Sequence, residues 1–349
     1  MKTILVTGAA GFIGYHLSLA LCKLNYHVIG YDNINDYYAV DLKYARLNEL
    51  GITRKVAEQF KTKAVSATLP FTFYRADLED DQFLDELFAT YQFHQVVNLA
   101  AQAGVRYSID NPKAYGTSNL IGFLNVLECC RQHNVHRLLY ASSSSIYGNS
   151  VDVPFSTSQN VDHPISLYAA TKKANELMAH SYSHLYGLNT IGLRFFTVYG
   201  PWGRPDMAMF LFTDAILNQQ PLKVFNYGDL SRDFTYIDDI IQGMIKLITA
   251  EKSAENYQLY NIGNSKPVQL LDFIKAIEQA TDITAKLQML PMQPGDVNQT
   301  WADVEDLIER YNYQPNFSVK EGVQNFVDWY KSFYQIPENK VEKIIPSNH

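Results

Sequence analysis

The stretch Thr3-Ile4-Leu5-Val6-Thr7-Gly8-Ala9-Ala10-Gly11-Phe12-Ile13-Gly14 decides the fold. Its first five residues, β-branched or apolar, have the composition of a parallel strand buried on both faces. Three glycines follow at once, and a helical pattern then runs to about Leu24. GxxGxxG alone is a weak signal, but between a first strand and a first helix it reads as a dinucleotide-binding turn. Gly8 permits the tight turn, Gly11 lets backbone approach a pyrophosphate, and Gly14 lets helix pack on strand. Phe12 and Ile13 open the helix, whose N-terminal amides and dipole favour phosphate.

Working outward, His27-Val28-Ile29-Gly30-Tyr31 reads as a second strand ending at Asp32, about 20 residues past the glycines. A carboxylate there accepts from both ribose hydroxyls and repels a 2′-phosphate, which selects NAD. Asn33 and Asn35 suit ribose contacts and ordinary turn chemistry equally. Residues 36–68 are polar and read as a solvated crossover without chemistry. Phe71-Thr72-Phe73-Tyr74-Arg75 is a third strand, leading to Asp77 and Leu78 at a position suited to the adenine amino group. A helix over 80–91 precedes the strand that ends in Leu99, Ala100 and Ala101, where a flat cofactor can lie close to backbone. A fourth helix, roughly 113–133, carries Asn119. A fifth strand over 137–141 delivers Ser142-Ser143-Ser144-Ser145, and a sixth ends at Phe195. This alternation predicts an α/β doubly wound parallel sheet of Rossmann type, with ligands at its C-terminal edge. Residues 1–200 form the expected NAD-binding domain, and residues 201–340 mainly a smaller substrate lobe interleaved with it.

Tyr168-Ala169-Ala170-Thr171-Lys172 sets a phenol and an ammonium four residues apart on one helical face. Such an ammonium lowers a tyrosine pKa towards neutrality and makes it a general base. A lone YxxxK is more often a surface pair on an amphipathic helix. The glycine turn and Asp32 give it a cofactor to work against.

Composition narrows the partners. The 349 residues are 47% hydrophobic, and a formal charge of −7 offers no basic patch for nucleic acid. Cys22, Cys129 and Cys130 follow neither a disulfide framework nor a zinc spacing, which points to a reducing compartment and no metal. No apolar run reaches the ~18 residues of a membrane span, and strand-like sequence begins at Lys2, so a cytoplasmic protein without a signal peptide is expected.

Together the glycine turn, Asp32, Ser143, Tyr168-x3-Lys172 and Arg232-Asp233-Phe234 resemble the extended short-chain dehydrogenase/reductase family of nucleotide-sugar enzymes, across residues 1–311. The strings AAQAGVRYS (100–108), ASSSSIYG (141–148), SLYAATKKANE (166–176), LRFFTVYGPWGRPDM (193–207) and RDFTYIDD (232–239) are most similar to its UDP-glucuronate 4-epimerases. The resemblance implies a Rossmann domain with a smaller C-terminal nucleotide-sugar lobe and a homodimer through a four-helix bundle of helices 113–133 and 168–186. It implies tightly bound, recycled NAD, with Tyr168 as base and Lys172 bonding the nicotinamide ribose. Ser143 matches the catalytic hydroxyl, with Ser144 one residue away and Ser145 beside them at the sugar. For the UDP-sugar it implies Arg232 at the diphosphate, Phe225 and Asn226 near the uracil, and Thr197 and Arg204 near C6. Arg204 suits a substrate carboxylate, a dimer edge or the diphosphate edge alike. Gln293, in Gln293-Pro294-Gly295-Asp296, stands where galactose enzymes carry an arginine. Thr300 leaves room for a 2-substituent, so an N-acetylated uronate stays open.

Enzymes of this architecture oxidise the sugar at C4. Dehydratases and decarboxylases of the family carry a carboxylate in the segment before the Tyr-Gly pair; this chain has Ser144-Ser145 there. The implied outcome is C4 epimerisation, UDP-glucuronate to UDP-galacturonate, for polysaccharide supply. Alternatives are another UDP-sugar 4-epimerase, a UDP-glucuronate decarboxylase or 4,6-dehydratase type of lyase, and an NAD-sensing regulator without catalysis.

Overall fold

The computed structural model describes residues 1–251, 255–293 and 296–336. Its centre is an eight-stranded sheet. In chain order the first seven strands are β1 (Thr3–Thr7), β2 (His27–Asp32), β3 (Ala64–Val65), β4 (Phe71–Arg75), β5 (Gln95–Asn98), β6 (Arg137–Ser143) and β7 (Asn189–Phe195). The strand Tyr257–Ile262 pairs in parallel with β7, so the spatial order is Tyr257–Ile262, β7, β6, β5, β1, β2, β4, β3. Only β3 runs antiparallel. This two-residue edge strand lies inside the stretch read as a solvated crossover, so each later strand ranks one place further along than its sequence reading.

Alternation along β1 shows why the sheet is covered twice. Ile4 and Val6 enter one apolar layer and Leu5 the other, all fully buried. Register aligns Thr7 with Tyr31 on β2 and with Asn98 on β5, so three strand ends lie side by side. β1 and β5 flank the point where the strand order reverses, which opens the ligand crevice of such sheets.

The helix expected over 113–133 is three pieces: Pro112–Tyr115, a π-helical turn Gly116–Ile121, and Gly122–Gln132. The widened turn lies where side chains compete for backbone groups: the Asn119 carbonyl accepts from Asn175 Nδ2 at 2.7 Å. The second half of the chain is threaded into the first. Helix Ile237–Thr249 packs on helix Phe12–Lys23, and the short strand β8 (Thr197–Tyr199) pairs with Phe234–Tyr236. Among the described residues no helix is long and apolar enough to cross a membrane.

Candidate active site

A cleft of ≈ 640 Å³ runs along the C-terminal ends of β1, β2, β5, β6 and β7. The glycine turn forms its floor. Gly8 has φ +70°, a region that disfavours side chains, and its amide donates to Tyr31 O at 2.7 Å. A Cβ on Gly8 would lie 2.8 Å from Ala100 N, and one on Gly14 would lie 2.1 Å from Gly8 O. Only hydrogen at these positions keeps β1, the first helix and the β5 end this close. Gly11, Phe12, Ile13, Asp32, Asn33, Asn35, Leu78, Leu99, Ala100, Ala101 and Phe195 also line the cleft. Asp32 is buried and accepts from Ala10 N at 3.1 Å and Ile34 N at 2.8 Å, which fixes its carboxylate at the strand end. Bare amides at a helix N-terminus beside a fixed carboxylate fit the pyrophosphate and ribose of NAD.

Two expected cofactor contacts fall elsewhere. Asp77 is outside the lining, its carboxylate accepting from Asn33 Nδ2 at 2.9 Å; Ala76, Leu78 and Glu79 face the cleft around it. Asn119 is buried behind the lining. Its amide brackets Gln102, accepting from the Gln102 amide at 2.7 Å and donating to its carbonyl at 3.1 Å, and also donates to Thr171 Oγ1. Asn119 therefore holds the loop after β5 against the helix Leu167–Tyr186 and has no amide group free for a ligand.

That helix starts at a true cap, Ser166 Oγ accepting from Ala169 N at 3.1 Å. Tyr168 and Lys172 both face the cleft. Lys172 Nζ donates to Ala141 O at 2.8 Å and lies 6.0 Å from the Tyr168 ring centroid. Burial lowers the Lys172 pKa to about 8. Tyr168 departs from the expectation of a depressed pKa: burial raises it, and the Ser143 hydroxyl and Arg204 pull it only partly back. The lysine ammonium gives one of its hydrogens to a backbone carbonyl, and desolvation of the phenolate outweighs the two lowering groups.

The serines separate by partner. Ser142 Oγ donates to Glu176 Oε1 at 2.7 Å, and Arg194 grips Glu176 with Nε and Nη2, each at 2.9 Å. Ser143 Oγ accepts from Ser145 N and Ser145 Oγ and is the serine hydroxyl bonded towards Tyr168. Ser144 and Ser145 line the cleft next to it.

On the opposite side, Thr197, Arg204, Arg232 and Thr300 line the cleft. Arg232 Nη1 donates to Ser231 O and Asn298 O. Thr300 Oγ1 accepts from Asp233 N at 3.2 Å. Arg204 is not the open fork expected: Nε and Nη2 are held by Asp206, which also accepts from Tyr37 Oη at 2.9 Å. Phe225 and Asn226 are not in the lining. Arg106 covers the Phe225 ring at 5.7 Å, and Asn226 Nδ2 turns back to Asp229 O. Pro294 and Gly295 lie outside the described residues.

Several lining side chains were missed by reading the sequence: Tyr37, Lys43, Gln102, Arg106 and Asp206. The first two belong to the stretch given no chemistry. Helix Val40–Glu49 in fact buries Lys43 and Arg46, and two charged residues on the buried face of an otherwise polar helix were the only local signal.

Residues 4–263 match the family model described as the NAD dependent epimerase/dehydratase family. The chain is 50% identical over 347 residues to Protein CapI of Staphylococcus aureus, spanning 95% of this chain and 99% of that one. It is 43% identical to UDP-glucuronate 4-epimerase 4 of Arabidopsis thaliana, over 95% of this chain and 76% of that one. The crystal structure of the UDP-glucuronic acid 4-epimerase of Bacillus cereus, in complex with UDP-glucuronic acid and NAD, superposes with a TM-score of 0.86 at 33% identity, covering 95% of this chain and all of that one. A cleft whose floor accepts a dinucleotide, under a sheet that such enzymes share, thus has its lineage: the chain belongs to the NAD-dependent epimerase/dehydratase family.

Proposed function

We propose that this nucleotide-sugar 4-epimerase interconverts UDP-glucuronate and UDP-galacturonate. One observation carries the choice of reaction: among the described residues, every carboxylate that lines the cleft is already engaged by a hydrogen-bond or ion-pair partner. Asp32 is fixed by two backbone amides, Glu79 accepts from Ser118, Asp206 is paired with Arg204, and Asp296 is paired with Arg106. Elimination of water from a keto sugar needs a second acid or base beside the first. Return of the hydride to the other face does not.

In this reading Tyr168 takes the proton of the sugar 4-OH, and Ser143 holds that hydroxyl and shortens the proton's path. NAD, when bound, accepts the C4 hydride and gives it back. Lys172, protonated below about pH 8, favours the phenolate and bonds the nicotinamide ribose. Arg232 would neutralise the diphosphate. Thr197 and the remaining donors of Arg204 would hold the sugar carboxylate, keeping its C–C bond out of line with the keto π system so that CO2 is not lost. The likeness to the UDP-glucuronate 4-epimerases of Bacillus cereus and Arabidopsis supports glucuronate as the sugar.

The proposal extends to a cytoplasmic homodimer serving polysaccharide precursor supply. Helices Gly122–Gln132 and Leu167–Tyr186 leave Leu124, Leu177 and Leu185 exposed along adjacent faces, which favours a partner helix pair there. Cys22, Cys129 and Cys130 are free thiols, as a reducing compartment keeps them.

Incubation of purified protein with UDP-glucuronate, without added NAD, tests the reaction by product NMR. A mixture of UDP-glucuronate and UDP-galacturonate forms, with no CO2 and no accumulating reduced cofactor. Steady CO2 release, or consumption of NAD in proportion to sugar, would sink the epimerase reading. An inert UDP-glucuronate beside an active N-acetylated uronate would move the substrate.

A further inference from the structure

The helix Val40–Glu49 buries two positive charges that the protein does not balance. Lys43 is 5% exposed and lines the cleft. Its ammonium donates to Asn35 O and Asn35 Oδ1, both at 2.7 Å, and lies 4.8 Å from the Tyr38 ring centroid. Two of its three hydrogens thus go to neutral acceptors. Arg46, one turn on and fully buried, spends its donors on Ala10 O, Tyr38 Oη, Trp202 O and Gly203 O. Among the described residues no carboxylate oxygen lies within 4 Å of either cation.

Burying an ion without a counter-ion costs several kcal/mol, and a chain with 36 acidic and 29 basic residues had carboxylates to place there. Arg46 is held by the glycine turn itself through Ala10, which puts this charge pair behind the floor, with Lys43 at the surface of the cleft. Asp32 and Glu79 apart, the groups presented to a ligand on this side favour negative charge: the amides at the start of the first helix, the Lys43 ammonium and its third hydrogen.

We infer that Lys43 is a pyrophosphate-binding residue, the cationic partner of the cofactor's bridging phosphates, with Arg46 reinforcing it from behind the turn. The missing counter-charge arrives with NAD. Its binding therefore relieves an electrostatic cost built into the protein, and this favours retention of the cofactor between turnovers. Asn35 orients the ammonium by two bonds, and Gln102, bonded to Asn35 Nδ2 at 3.4 Å, closes the same rim.

Equilibrium dialysis with labelled NAD tests this on the parent protein, Lys43→Met and Lys43→Arg. Lys43→Met should weaken NAD by about 10- to 100-fold, the worth of a charge-assisted hydrogen bond, and Lys43→Arg should recover most of it. Raising the salt concentration should weaken NAD less in Lys43→Met than in the parent. In Lys43→Met, ADP-ribose, which carries the same pyrophosphate, should lose affinity as NAD does, whereas adenosine, which lacks a phosphate, should keep its affinity. Unchanged NAD binding in Lys43→Met overturns the inference. So does an equal loss for adenosine, which would make Lys43 a support for Asn35, or a loss confined to NADP, which would make it a 2′-phosphate ligand.

Discussion

Along the floor of the cleft, where β1, β2 and β5 end, most ligand-facing groups are backbone. The amides of Phe12–Gly14 open the first helix after four turn amides bonded within the protein, and the side chains Asp32 and Lys43 are clamped by neighbours. Across the cleft the wall is made of side chains from separate stretches: Ser143 from β6, Tyr168 and Lys172 from a long helix, Thr197 from β8, Arg204 from a loop and Arg232 from the second half. The floor binds what every member of such a family binds, so it can be rigid and local. In the proposed reaction the wall selects and transforms, and it is assembled from distant parts whose positions depend on packing. A clasp joins them: His16 on the first helix meets Pro201 O at 2.9 Å, Arg46 grips Trp202 and Gly203, and Tyr37 donates to Asp206.

The contrast can be broken in three places. The largest effect is expected at the wall, from Tyr168→Phe. Removing the phenol proton carrier should lower turnover by about 10²- to 10⁴-fold, with NAD content by absorbance unchanged. A variant with parental rate, or one that loses NAD in parallel, would mean that base and cofactor sites are not separable in this way.

Next is Arg204→Ala. Calorimetry should show UDP-glucuronate weakened by about tenfold or more while UDP-glucose changes little, because only the charged sugar uses the guanidinium. Equal losses would remove the carboxylate role and leave Arg204 as the anchor of Asp206 and Tyr37.

The smallest effect is expected at the clasp. Burial lowers the His16 pKa from its ordinary 6.5 to about 4, with the bond to Pro201 opposing that shift. A folded-state pKa below the unfolded value means that the unfolded chain binds the extra proton first. The stabilisation is whole above pH 6.5 and is lost as pH falls towards 4, by up to roughly 3 kcal/mol. His16→Gln should flatten that part of the thermal midpoint against pH. An unchanged acid slope would show that other groups set it.

How much of this was readable without coordinates follows from the same contrast. The glycine turn, Asp32 and the strand–helix alternation came from contiguous residues whose backbone demands are met within a few positions. Tyr168 and Lys172 were readable because four residues is a helical turn. The failures involve residues whose partners are far away in sequence. Asp77 and Asn119 lie outside the cleft lining, the one bonded by Asn33 and the other by Gln102 and Thr171, contacts that spacing alone does not show. Phe225 and Asn226, placed near the uracil by resemblance, lie in a short turn outside the cleft lining. Arg204 reads as an open fork until Asp206, two residues along, closes half of it.

Sequence by itself determined the doubly wound sheet, the dinucleotide floor and the pairing of phenol with ammonium, because each rests on local backbone geometry or helical period. Tertiary structure alone decided that burial outweighs the Ser143 hydroxyl and Arg204 in setting the phenol's pKa, and that, among the described residues, Lys43 and Arg46 carry buried charge with no carboxylate oxygen within 4 Å. Desolvation and charge pairing depend on what surrounds a group in space, and residues remote in the chain supply those surroundings.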